Sequence, residues 1–174
     1  MARLLQIAQL GNQILRQISE EIKQANDHSV MELWDDMLVT MLDTKGVGIA
    51  APQVYVSQRC FVFSSAPGPG RPDTPIIEPT FVINPEILWK SDEIVRSWEG
   101  CLSIPGIRGI VPRYESINVQ FIDSRNVGRE ETLSGFAARV FQHEYDHLDG
   151  IVYLDRLEST KDIFTEKECM KFLN

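Results

Sequence analysis

Two histidines four residues apart, His143 and His147, with Glu144 between them, constrain this chain more than any other feature. On a helix that spacing stacks both imidazoles on one face, one turn apart, where they can reach a single metal ion. Glu144 then stands beside the ion as a candidate general base. The chain has three histidines, so this one pattern takes two of them. A fold that uses the pattern must bury one helix and bring a further ligand to it from elsewhere in the chain.

The surrounding sequence predicts that helix. Phe136, Val140, His143 and His147 share an inward face over Gly135 to Leu148, and Gly150 stops it. A second amphipathic helix is predicted from about Val30 to Asp43. Ser29 is its N-cap, Glu32 reaches back in a capping box, and Lys45-Gly46 ends it. Its stripe of Val30, Leu33, Trp34, Met37, Leu38, Met41 and Leu42 reads as core packing. Strands are predicted at Arg59–Phe63, Phe81–Ile83, Ile87–Lys90, Glu93–Trp98, Ile117–Phe121 and near Glu131–Leu133. Five prolines between Ser64 and Thr80 predict a loop, a surface insertion rather than a proline-recognition segment. A last helical piece is expected from about Lys161 to Leu173. The order helix, strands, helix predicts an α+β fold, with antiparallel or mixed sheet wrapping the metal helix, and residues 1–174 form a single domain.

Composition excludes some functions. The chain has 174 residues, a formal net charge of −8 and no run of Lys and Arg, which argues against general affinity for nucleic-acid backbone. No stretch approaches the length of a transmembrane helix, and Met1 to Gln17 lacks the apolar run of a signal peptide. Cys60, Cys101 and Cys169 are odd in number and widely spaced, which suits free or metal-bound thiols in a reducing compartment.

A catalytic zinc-type site takes three protein ligands and leaves a position for water. The third ligand has to come from His28, a cysteine or an acid. Glu166 lies downstream, close to where glutamate-ligated metalloproteases place theirs. Cys101 sits upstream in Glu99-Gly100-Cys101-Leu102-Ser103, where Gly100 allows a tight bend and Leu102 can aim its N–H inward. A third unusual stretch is Gly46-Val47-Gly48-Ile49-Ala50-Ala51-Pro52-Gln53. Its small side chains leave the backbone open to an extended peptide that adds as a strand, and Gln53 offers an amide donor.

Together the three stretches resemble the peptide deformylases, whose motifs G-x-G-x-A-A-x-Q, E-G-C-L-S and Q-H-E-x-D-H-L-x-G occur here complete and in order. They run over Gly46–Gln53, Glu99–Ser103 and Gln142–Gly150, and the resemblance extends to about Leu157. It implies Cys101 as the third ligand with His143 and His147, holding one divalent ion. Ferrous iron is the implied ion, with zinc, nickel or cobalt as substitutes. It implies removal of the formyl group from N-formylmethionyl nascent peptides in the cytoplasm, near the ribosomal exit tunnel, with release of formate. Glu144 would carry the proton, and Gln53 and the Leu102 N–H would stabilise the oxyanion. The peptide would lie between Val47-Gly48 and Gly100, its methionine side chain against Phe136 and Val140. Arg113 is expected to pair with Glu99 or Asp146 and brace the ligand segments. Arg139 is expected to pack its stem and send its head to solvent or a carboxylate. The competing readings are a metalloendopeptidase with Glu166 as third ligand and a closed, purely structural metal site.

Overall fold

The computed structural model describes residues 2–68 and 71–173; Pro69 and Gly70 of the predicted loop lie outside them. Its first helix, α1, spans His28–Asp43. Asp27 rather than Ser29 caps it, accepting from the Ser29 N–H at 2.8 Å and the Ser29 hydroxyl at 2.7 Å. A charged acceptor one position ahead of the helix makes the stronger cap, and the predicted Ser29–Glu32 box gives way to it. Val30, Met37 and Met41 are buried as expected, whereas Leu42 is 56% exposed and leaves the predicted stripe.

Strands β1 (Gly48–Ala50), β2 (Cys60–Ser65), β3 (Ile77–Lys90), β6 (Ser116–Ile122) and β7 (Gly128–Ser134) form one antiparallel sheet in the order β1-β2-β3-β6-β7. A second sheet holds β4 (Ile94–Cys101), β5 (Ile104–Tyr114) and the short β8 (Ile163–Thr165). Helix α2 spans Gly135–Leu148, the bounds predicted for it, and α3 spans Glu166–Leu173.

The pleat of β2 explains the layering. Phe61 and Phe63 point to one side and meet Phe141 of α2, with ring centroids 5.0 and 5.5 Å apart. Cys60 and Val62 point to the other side and join the cluster with Met37 and Met41 of α1. Alternate residues of one strand thus serve two cores, and the larger sheet lies between the two helices. The metal-motif helix is buried on nearly its whole surface, the arrangement expected of a sheet-wrapped helix.

Several predicted boundaries move. Phe81–Ile83 and Ile87–Lys90 belong to a single strand, because Asn84-Pro85 makes a bulge rather than a turn. Asn84 has φ 47°, and its side chain bonds both the N–H and the carbonyl of Ile22. The predicted Ser64–Thr80 loop shrinks to residues 66–76, since Phe63 pairs with Thr80 and Ser65 with Ile77. Pro79 is tolerated because β3 pairs with β6 only from Ile83 onward, so its missing N–H faces no partner strand there. Strand β5, which the sequence reading did not assign, carries Pro105, Gly106, Gly109 and Pro112 and is held by its register with β4. The predicted helix from Lys161 to Leu173 divides: Ile163–Thr165 pair with Ile107–Gly109, and Phe164 packs on Trp98 at 4.9 Å, before α3 begins.

Candidate active site

The site lies where the two sheets meet α2. Strand β4 delivers Glu99 and Cys101, two residues apart across a register shift in its pairing with β5, and both reach the histidines of α2. Helix α2 delivers His143 and His147 from consecutive turns, their rings 5.1 Å apart. Ligand atoms of Cys101, His143 and His147 all lie within 4.8 Å of one another. Cys101 Sγ is 3.3 Å from His147 Nε2. Burial opposes ionisation of the Cys101 thiol, but the facing His147 and His143 imidazoles hold it well below its usual range. A soft thiolate and two imidazoles, converging from two elements, are a donor set that suits a transition-metal dication.

Around these three the structure builds a bracing shell. His143 Nδ1 lies 2.9 Å from Glu99 Oε2, which leaves Nε2 to face Cys101. Glu99 is gripped from the other side by both nitrogens of the Arg113 fork, at 2.9 and 3.0 Å. Arg113 also bonds Asp146 of α2, and Arg156 bonds Asp146 in turn. Arg113 therefore takes both partners between which the sequence left a choice. Of the two destinations expected for its head, Arg139 takes a carboxylate and not solvent. It is 7% exposed, donates to Glu99 Oε1 at 2.8 Å and bonds the carbonyls of Val111 and Val95. His147 Nδ1, by contrast, meets no partner among the described residues.

Glu144 points the other way from this shell. A Cβ on Gly48 of β1 would overlap its carboxylate, so the absence of a side chain there lets the acid lie against the strand backbone. Its Oε2 is buried without a hydrogen-bond partner among the described residues. Burial pushes its pKa up to about 7, against the pull of the neighbouring histidines. Gln53 follows β1 on a 3-10 turn. Its Oε1 accepts from the Ala50 N–H at 2.8 Å, and its Nε2 lies 3.4 Å from Cys101 Sγ and 3.2 Å from Ser103 Oγ. Leu102 lies in the tight turn from β4 to β5, and its N–H meets no backbone acceptor among the described residues.

Two backbone bonds clamp these turns from outside, Ala8 N–H to Gln53 O and Leu10 N–H to Ser103 O, each 2.8 Å. The sequence carried no sign of this strap, because backbone bonds made by an irregular segment leave no periodic pattern. Glu99 as partner of His143 was also missed, although its place two residues before Cys101 pointed to it.

The remaining predicted residues fall as follows. Among the described residues β1 pairs only with β2, so the Val47-Gly48 edge has no neighbouring strand there. The Arg108 guanidinium lies over Gly100 where a Cβ would stand. Val140 is buried and Phe136 half-buried, both against the core that α2 shares with the larger sheet. Glu166 does not join the cluster. It begins α3, is half exposed and pairs with Arg108, because β8 fixes it on the outer side of β5. His28 is exposed beside Glu32. The endopeptidase reading, which needed Glu166 at the metal, is overturned by this placement.

The sequence profile of the polypeptide deformylase family matches residues 4–162. The chain belongs to the peptide deformylase family. A deformylase of Nostoc sp., peptide deformylase 2, is 48% identical over 98% of this chain and 95% of its own. Among solved structures, the class I type b peptide deformylase from Acinetobacter baumannii, crystallised with Met-Ala-Ser bound, superposes with TM-score 0.85. It is 40% identical and covers 90% of this chain and all of its own. The peptide deformylase from Thermotoga maritima superposes with TM-score 0.80 at 38% identity, over 90% of this chain and 99% of its own. The fold is thus that of the deformylases, and the three motif stretches lie together in it.

Proposed function

We propose that Cys101, His143 and His147 hold one divalent ion, and that beside it this deformylase hydrolyses the formamide bond of N-formylmethionyl peptides to give formate and a free amine. The observation that carries the reading is Glu144: a buried, unpartnered carboxyl whose pKa is pushed up to about 7, packed against Gly48 and next to the only such donor cluster among the described residues. An ion held by these ligands supplies a Lewis acid for the formyl carbonyl and brings the ionisation of water toward neutrality.

The chain's own groups do the rest. Glu144 takes the proton of the attacking water and delivers it to the departing amine nitrogen, a task suited to a carboxyl with a pKa near the working pH. Gln53 Nε2 and the Leu102 N–H donate to the oxygen of the formyl carbon as it gains charge. Glu99, Arg113 and Arg139 hold the ring of His143 in orientation. The free edge of β1 takes the peptide as an added strand along Val47-Gly48, with Gly100 on the opposite wall and the methionine side chain between Phe136 and Val140. Ferrous iron is the proposed working ion, with nickel, cobalt and zinc as substitutes compatible with the same donors. The proposed setting is the cytoplasm, on nascent chains near the ribosomal exit tunnel. No helix among the described residues is long and apolar enough to cross a membrane.

The test is formate release from a formyl-Met tripeptide by metal-replete protein. Absence of formate with iron, nickel, cobalt and zinc alike, in protein that binds each metal, would overturn the reading.

A further inference from the structure

A cation stands at the outer end of the proposed groove. Between β2 and β3, Gly68 and Arg71 are joined by two backbone hydrogen bonds at 3.0 and 3.3 Å. The Ser65 hydroxyl donates to the Pro75 carbonyl and ties the base of this connection. From it the Arg71 side chain reaches back over α2. Its guanidinium carbon lies 3.5 Å above the centre of the Phe136 ring, and its Nη1 donates to the Ala66 carbonyl at 2.7 Å. Among the described residues no carboxylate pairs with it, although the chain as a whole carries a net charge of −8. A guanidinium held against an aromatic ring and tied by one N–H to a carbonyl is restrained in place and keeps other N–H groups to offer a carboxylate.

An extended peptide along the β1 edge sends alternate side chains to the same side. If the methionine enters between Val140 and Phe136, the third residue's side chain emerges on that side about 7 Å further on. Phe136 lies two turns of helix ahead of His143, about 10 Å from it along α2. For a peptide that runs toward the N-terminal end of α2, the third side chain arrives where Arg71 covers Phe136.

We propose that Arg71 is a specificity-determining residue that recognises a carboxylate at the third residue of the formylated peptide. This rests on the deformylase reading of the same groove. Two sources present that chemistry, an Asp or Glu side chain and the free C-terminus of a tripeptide.

The experiment measures kcat/KM of the metal-replete protein on formyl-Met-Ala-Asp-amide, formyl-Met-Ala-Asn-amide and formyl-Met-Ala-Lys-amide, with formyl-Met-Ala-Asn free acid as a fourth substrate. The Asp amide should exceed the Asn amide by about fivefold, the scale of a partly exposed ion pair, with the Lys amide lowest. The difference should lie mainly in KM and shrink at high salt. In Arg71→Gln the Asp-to-Asn ratio should fall to about one, and Arg71→Lys should restore part of it. A gain for the free acid over the Asn amide, lost in Arg71→Gln, shows that the terminal carboxylate is recognised as well. Equal rates on all four substrates, or a wild-type preference that survives in Arg71→Gln, overturn the inference and leave deformylation standing. No formate from any of the four overturns the deformylase reading, and the inference with it.

Discussion

Glu144 and Gln53 illustrate how two polar side chains in one site are put into different states by what surrounds them. Glu144 has an oxygen with no partner and a raised pKa, so it is equipped to exchange a proton; Gln53 has its oxygen tied to the Ala50 N–H, so its amide hydrogens point in a fixed direction. Replacing Glu144 by Ala should leave the metal content intact, since Glu144 is not among the clustered donors, and lower turnover by about a thousandfold or more. Metal analysis alongside formate release checks this, and loss of the metal would contradict the assigned role. Gln53→Ala should lower kcat by about a hundredfold with little change in KM, the signature of a donor that acts on developing charge. A change confined to KM would make Gln53 a binding group only. At this scale the sequence was most legible where spacing alone brings side chains together, as at His143 and His147, whose ring nitrogens gather with the Cys101 sulfur. It was least legible where a role depends on a distant partner. Arg139 is an example: nothing along the chain announces that its head meets Glu99 and two carbonyls of another sheet.

Between elements, the site depends on how closely β1 approaches α2 and on how firmly β4 and β5 are fastened to it. Gly48→Ala would place a methyl group in the volume of the Glu144 carboxylate. The variant should fold, as judged by circular dichroism, yet lose more than about tenfold in kcat, because a small displacement of a catalytic group is costly. Unchanged kcat would show that Glu144 has no need of that position. Arg113 is the fastener. It is 5% exposed and bridges Glu99 of β4 to Asp146 of α2. Arg113→Met would take away the cation that two buried carboxylates share, leaving Glu99 to Arg139 and Asp146 to Arg156, and should lower stability by less than the ~3–5 kcal/mol of a fully unpaired buried charge. The loss also has a pH signature. Burial alone would raise the Glu99 pKa, but the Arg113 charge and the hydrogen bonds from His143 and Arg113 hold it well below the usual carboxylate range. A depressed pKa contributes stability that is present above the ordinary carboxylate value and lost as pH falls through the folded-state value. Acid denaturation of Arg113→Met should therefore begin at a higher pH than in the parent, and coincident acid transitions would count against the bracing role. Among whole elements, α2 was legible because its apolar and ligand positions recur with one period. β5 was not, since its prolines and glycines hide a strand that exists through pairing with β4. The tail from Lys161 was misread because a three-residue strand is decided by its neighbour rather than by its own pattern.

For the molecule as a whole, the α+β class and the central buried helix were legible from the order of elements, and the family from three short motifs. The layering was not, because it follows from β2 serving two cores at once. A site closed by a thiolate should be chemically fragile. Protein loaded with iron without air should be active and decay on exposure to air or peroxide, as the metal or Cys101 is oxidised, while nickel-loaded protein should last far longer. Timed formate-release assays on the two forms check this, and equal aerobic lifetimes would refute it. The clamp made by Ala8 and Leu10 on the Gln53 and Ser103 carbonyls carries a kinetic consequence. Both turns it grips belong to a site whose histidines come from α2, far along the chain, so almost none of the contacts that define the centre are local in sequence. Such long-range closure is slow and late in folding. The three clustered donors are complete only once His147 has been made, so no fragment that stops short of α2 could assemble the centre.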